Sequence, residues 1–270
     1  MRPGSLRLEI ANVDRRETDD RVGRVVLRDD AGAPRAYGGT AAGRFWVRVP
    51  EVGYFDLSTG ADEVRASVSS RISRELVLDG YYGIALPLFA QAVLGCEVLH
   101  ASAVLVDGGA VAFCAKTGVG KTTIASSLSR RGLSLWADDA VGFISEPGRL
   151  PESMFLPFTV DGRTISPPGG RDQVPLAAVC LLERLDRDVG DGPIAISRPS
   201  ASDAVAALIA HAYRFAPQPQ ARRRKMVQRY LDVAARVPVL LVRFAPERDH
   251  FPKLLDRIES AFMEAVSERR

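Results

Sequence analysis

The residues Ala115-Lys116-Thr117-Gly118-Val119-Gly120-Lys121-Thr122-Thr123 are of the types, and in the order, that hold a polyphosphate. A loop of small residues can close its backbone N–H groups around phosphate oxygens, and Gly118 and Gly120 allow this because they carry no Cβ. Lys121 stands where it meets the β- and γ-phosphates, and the Thr122 hydroxyl where it serves Mg²⁺. The helical pattern that follows turns its positive N-terminus toward the same anion. Ala115 occupies the first position, where the usual pattern has Gly; one extra methyl is expected to be tolerated. The relaxed pattern arises by chance on the order of once in 10⁴ positions.

The flanking elements raise that specificity. Residues 104–106, the turn Asp107-Gly108-Gly109 and residues 110–114 read as strand, tight turn and strand delivering the loop. Beyond the loop helix, Arg130-Arg131-Gly132 reads as a helix stop, and residues 133–137 as a short strand leading into Asp138-Asp139. The C-terminal end of a strand is where open α/β sheets collect ligand-binding groups, and in P-loop proteins one such Asp holds Mg²⁺. His100 lies beside an apolar strand, where a lone His is more often structural than functional.

The whole chain has 270 residues, 46% hydrophobic and 26% charged, with a formal charge of +3. That is globular material without the charge excess of a nucleic-acid binder. Cys96, Cys114 and Cys180 are odd in number, sit in apolar stretches and lack C-x-x-C spacing, so buried thiols are expected, with no disulfide framework and no zinc site. The N-terminus has no signal-peptide core, and the longest apolar run, 83–95, contains Pro87 and is short for a bilayer. A cytoplasmic protein without membrane partners is the expectation.

Residues 1–40 predict one or two weak strands; 44–49 and 54–57 a hairpin; 61–69 a third strand; and 72–81 and 84–94 two helices, the second ending at Gly95. Six prolines between 146 and 175 exclude a long regular element there, and such segments are often lids or substrate loops. Within it Arg163 and Arg171 are candidates for stabilising transferred phosphate, with plain solvation the commoner reading for either alone. Strands are expected at 176–182, 194–196 and 237–244, and helices at 201–215, 221–235 and 251–266. Arg222-Arg223-Arg224-Lys225 could meet an acidic peptide or nucleic acid, although a solvated helix face is more usual. His211 and His250 receive no assignment.

In its order of His100, strand, turn, strand, the loop 115–123 and Asp138-Asp139, the chain resembles the catalytic domain of HPr kinase/phosphorylase. It looks closer still to the HPr-kinase-like proteins found among peptide-modifying enzymes, where a β-rich N-terminal region precedes a segment like Leu99-His100-Ala101-Ser102. The likeness covers about residues 96–145. It implies an α/β P-loop nucleotide-binding domain of the HPr kinase C-terminal type over 96–270, after a β-rich and helical N-terminal region over 1–95.

It also implies ATP and Mg²⁺ as cofactors, with Lys121 and Thr122 on the nucleotide and metal and Asp138 on the metal. Asp139 would be the base that accepts a proton from an acceptor hydroxyl, with His100 orienting that carboxylate. Thr123 stands where the bifunctional enzyme has Glu, and the second segment tied to phosphorylase activity has no counterpart, which argues against reverse phosphorolysis and against HPr as acceptor. A kinase for a Ser hydroxyl of a peptide or protein is the leading expectation. The alternatives are a small-molecule kinase, for instance of free serine, a nucleotide-gated ATPase or switch, and a scaffold without catalysis. The family's ring-shaped assemblies make a homo-oligomer a further expectation.

Overall fold

The computed structural model describes residues 6–13, 23–29, 31–41, 43–58, 63–185, 194–213, 220–245 and 250–268. The expectations for residues 1–5, 14–22, 30, 61–62 and 214–215 fall outside these. Within them the chain is a mixed α/β fold with several sheets and helices.

The first sheet contains β1 (Arg7–Asn12), β2 (Arg24–Arg28), β3 (Pro34–Ala41), β4 (Arg44–Val49), β5 (Gly53–Ser58) and β6 (Glu63–Val68), in the order β1-β6-β5-β4-β3-β2. Alternation drives it: Val47, Phe55, Leu57, Val64 and Ala66 are fully buried on one face. The 44–57 hairpin forms as expected, whereas the described residues between 7 and 41 include three strands.

The two helices expected between 72 and 94 are one continuous run. It comprises α1 (Arg74–Gly80), a π turn over Tyr81–Ala85, α2 (Leu86–Phe89) and a π turn over Ala90–Leu94. The Ser73 hydroxyl accepts the Leu76 N–H at 3.2 Å to start it, and Gly95 ends it at φ 65°. Pro87 does not break the run, because the ladder has already widened: the Leu86 N–H reaches back to the Tyr81 carbonyl. Burial of Tyr81, Ala85, Leu86, Leu88 and Phe89 in one cluster with the first sheet stabilises this irregular path. At 21 residues the run is long and apolar enough to cross a membrane, which the 83–95 stretch by itself did not suggest, but much of it is spent on this core.

The second sheet carries the loop. It contains β7 (Glu97–Leu99), β8 (Ala101–Val106), β9 (Gly109–Cys114), β10 (Ser134–Ala137), β11 (Val141–Ile144), β12 (Glu152–Met154), β15 (Gln173–Arg184), β16 (Ile194–Ser197) and β17 (Val239–Phe244). β15 is parallel to β9 and β17, while β8 runs antiparallel between β9 and β10. α3 (Lys121–Arg130) and α6 (Phe251–Ser267) share one core cluster with Val104, Phe113, Cys180 and Val242. α4 (Ala201–Ala210) and α5 (Gln220–Arg236) share another with Trp136, Phe143 and Val179. The sheet is thus covered on both faces, and its strands are accordingly almost continuously apolar.

The expected strand at 176–182 is 12 residues long and starts at Gln173. In the proline-rich stretch before it, β13 (Phe158–Val160) and β14 (Arg163–Ile165) form a hairpin held to the 74–94 helix through Thr159 on Asp79 and Thr164 on Tyr82, each 3.4 Å. All three cysteines are buried and free, as expected.

Candidate functional site

Strand direction brings the chemistry together. β9 ends at Cys114, where the 115–120 loop begins, and β10, separated from it by antiparallel β8, ends at the same edge of the sheet. β8 begins there: Ala101 faces Cys114, and Ala103 faces both Ala112 and Ala137. His100 and Ser102, Lys121 and Thr122, and Asp138 and Asp139 therefore come from three strand ends.

In the loop, Gly118 and Gly120 take φ of 83° and 120°, values that side chains other than Gly rarely adopt. Ala115 is not among the positive-φ residues, and its buried methyl packs in the cluster of Phe113 and Ile124. Its place in the usual Gly position thus has a local explanation. Lys121 is buried, and its ammonium donates to the Ala115 carbonyl at 3.2 Å, which holds the charge across the loop. No side chain caps the N-terminus of α3, so its helical N–H groups are not served by a capping side chain.

Asp138 is organised by two hydroxyls. Its Oδ1 accepts from Ser102 at 2.6 Å and from Thr122 at 2.8 Å. One carboxylate beside a Thr hydroxyl suits Mg²⁺, which takes one or two carboxylates and fills its remaining positions with phosphate oxygens and water. Among the described residues no group of three or more His, Cys, Asp or Glu side chains is placed to hold a metal ion.

Asp139 is held differently. The Ala140 N–H donates to the Asp138 carbonyl at 2.8 Å, closing a three-residue turn with Asp139 at φ 60°. This is the strained form of such a turn, costing on the order of 1–3 kcal/mol. It leaves the Asp139 side chain 59% exposed, with the His100 Nε2 3.8 Å from its Oδ1. That is an ion-pair distance, longer than a hydrogen bond.

His100 sits at the crossing from β7, which pairs with β11, to β8, which pairs with β9. Its backbone N–H donates to the His211 carbonyl at 2.8 Å, and its ring meets that of Tyr213 edge-on with centroids 6.1 Å apart. The Tyr213 hydroxyl stands 3.0 Å from the Gly83 carbonyl and 3.3 Å from that of Asp139. In a regular helix the Gly83 carbonyl would take the N–H of residue 87. Proline has none, and the tyrosine supplies a donor instead. Burial and then the nearby Asp139 raise the Tyr213 phenol well above its ordinary pKa, so it keeps this proton.

Behind the site, Glu97 is fully buried and ion-paired to Arg222 and Arg229. The Arg222–Lys225 run was expected as a solvated face; instead its first member clamps α5 to β7. Ser102, Tyr213 and Glu97 were not read as site residues. Ser102 had a signal, since i and i+2 on a strand put it on the same face as His100. Tyr213 had none, because the contact is made across the fold.

Not every candidate joins the site. The Arg171 guanidinium lies beside Gly108, in the turn at the far end of β9 from the loop. Arg163 is exposed on the β13–β14 hairpin. Lys116, Thr117 and Thr123 are exposed along the loop, and Val119 is partly so. A cavity of ≈ 240 Å³ opens beside the loop, between Val119 and Thr123 on one side and Ile194, Phe244, Phe251 and Leu254 on the other. Arg184 and His250 also border it.

No family model and no curated protein matches this chain. Among solved structures, it is similar to the Hpr(Ser) kinase/phosphatase from Coxiella burnetii, with 15% identity over 62% of this chain and 98% of that one and a TM-score of 0.36. A likeness of that size is a loose one of fold, and the functional reading rests on the site.

Proposed function

We propose that this protein is an ATP- and Mg²⁺-dependent kinase that transfers the γ-phosphate to a hydroxyl, most readily a serine of a peptide or protein. The observation that carries the reading is the meeting of Lys121, Thr122, Asp138, Asp139 and His100 at one sheet edge. Phosphoryl transfer asks a protein for charge neutralisation, a metal ligand and one group aimed at the nucleophile. These residues divide into those three tasks.

The loop amides, the α3 N-terminus and Lys121 hold the phosphates, and the apolar cavity beside Val119 takes the base. Thr122 and Asp138 hold Mg²⁺, whose role is to neutralise charge on the β- and γ-phosphates, while Ser102 orients Asp138. Asp139 removes the proton as the acceptor oxygen bonds to the γ-phosphorus and the bond to the β-phosphate oxygen breaks, releasing ADP. His100 holds the Asp139 carboxylate in place.

The test is incubation of the wild-type and Asp139→Asn proteins with γ-labelled ATP, Mg²⁺, a pool of serine peptides and free serine, with products resolved by mass. One phosphate gained by a peptide or by serine, and absent with the variant, is the expected result. Turnover unchanged in Asp139→Asn would remove Asp139 as the base. Label found solely as inorganic phosphate would favour the ATPase or switch reading.

A further inference from the structure

We propose that Arg184, the last residue of β15, is a donor-binding residue whose guanidinium takes the α-phosphate of the nucleotide, on the side of the loop away from Asp138 and Asp139. The proposal rests on the reading of residues 115–123 as a phosphate loop. Strand order sets the two sides. β8 and then β10, which leads into Asp138, lie on one side of β9, and β15 lies on the other. A nucleotide with its γ-phosphate toward Asp139 therefore runs its remaining phosphates and its nucleoside across the loop toward the end of β15.

Register and alternation then place Arg184. β9 ends at Cys114, which pairs with Leu181, so β15 runs on through Leu182, Glu183 and Arg184 beside the start of the loop, a rise of about 10 Å. Cys180 and Leu182 are buried in the cluster that holds Ile124 and Leu128 of α3, and Arg184, the next residue in that alternation, falls on the same face. There it stands opposite Phe244 of β17. The cavity of ≈ 240 Å³ beside the loop agrees with this placement, since Arg184 lines it together with Gly118, Gly120 and Thr123.

The charge of Arg184 is unspent. Its side chain is exposed and forms no hydrogen bond or ion pair among the described residues. Nearby arginines are engaged: Arg243 donates to Glu183 at 2.8 Å, and Arg257 to the Ile194 carbonyl at 2.6 Å. No carboxylate is among the described residues that line the cavity. Ile194, Phe244, Phe251 and Leu254 offer a nucleobase apolar contact and no charge, so the complement of the guanidinium is the phosphate nearest the nucleoside. Arginine presents a planar fork of donors that matches two phosphate oxygens at once. Lys121 would then hold the β- and γ-phosphates from α3 and Arg184 the α-phosphate from β15, so that the two cations grip the polyphosphate at its two ends.

The experiment measures binding of ATP and of inorganic tripolyphosphate by calorimetry, with Mg²⁺ present, for wild type, Arg184→Gln and Arg184→Lys. Tripolyphosphate fills the loop with three phosphates and no nucleoside, so it separates a phosphate contact from a contact to the base or sugar. The expected result is that Arg184→Gln weakens both ligands by roughly ten- to a hundredfold and that Arg184→Lys recovers part of the loss. An unchanged melting temperature in Arg184→Gln without ligand separates this from a folding defect. An Arg184→Gln variant that binds both ligands as wild type does, or one that loses ATP alone, overturns the proposal. An Arg184-dependent affinity in a protein that transfers phosphate to no hydroxyl leaves the proposal standing and removes the kinase reading. A wild type that binds neither ligand removes the phosphate loop and the proposal with it.

Discussion

In the proposed kinase Lys121 would serve the phosphates and Asp139 the acceptor hydroxyl, so their replacements separate binding from chemistry. Lys121→Ala is expected to weaken nucleotide binding at least about tenfold, because a hydrogen-bonded ion pair to phosphate is lost. Asp139→Asn is expected to keep nucleotide affinity and lose roughly 10²–10⁴-fold in turnover, the usual worth of a positioned base. Equilibrium nucleotide binding and single-turnover transfer, measured on both variants, check the division. Ser102→Ala leaves Asp138 with Thr122 as its one hydroxyl partner. It should raise the Mg²⁺ concentration needed for half-maximal turnover while leaving the acceptor KM unchanged.

At the scale of elements, Pro87 and Tyr213 form a device across the fold. The proline removes a helical donor, and the tyrosine hydroxyl that replaces it also steadies the Asp139 turn. Tyr213→Phe should therefore cost about 1 kcal/mol of stability but lower kcat further than that loss explains, with the nucleotide KM unchanged; urea unfolding and steady-state kinetics give the two numbers. Gly120 makes the parallel point for the loop. A side chain at φ 120° strains the turn into α3, so Gly120→Ala should abolish nucleotide binding in a protein that still folds, as circular dichroism with a binding assay would show. The strand–loop–helix order around 115–120 was legible, since its residues are consecutive. The single helical run over 74–94 was not: Gly83 and Pro87 read as punctuation, and burial of Tyr81, Leu86 and Phe89 overrode it.

For the molecule as a whole, burial of the thiols sets a limit at alkaline pH. Burial pushes Cys96 and Cys114 up to about 12 from an ordinary 9.0. Because the folded pKa is raised, the unfolded chain loses these protons first, and stability present below about pH 9 falls as pH rises toward 12. Urea unfolding at pH 8 and pH 10 should show the lower stability at pH 10, and thiol reagents should label the native protein slowly at pH 8. Sequence by itself determined the glycine-bearing loop between β9 and α3, the carboxylate pair after the next strand, the alternation of the 44–57 hairpin and the buried cysteines, because each follows from neighbours within a few residues. Only tertiary structure decided that Asp138 is shared by Ser102 and Thr122, that the Tyr213 hydroxyl reaches the Asp139 carbonyl, that Arg222 is ion-paired to the buried Glu97, and that Arg171 lies at the far end of β9. Those contacts join residues distant in the chain, and the energy that selects them comes from packing and desolvation across the sheets, which no local pattern records.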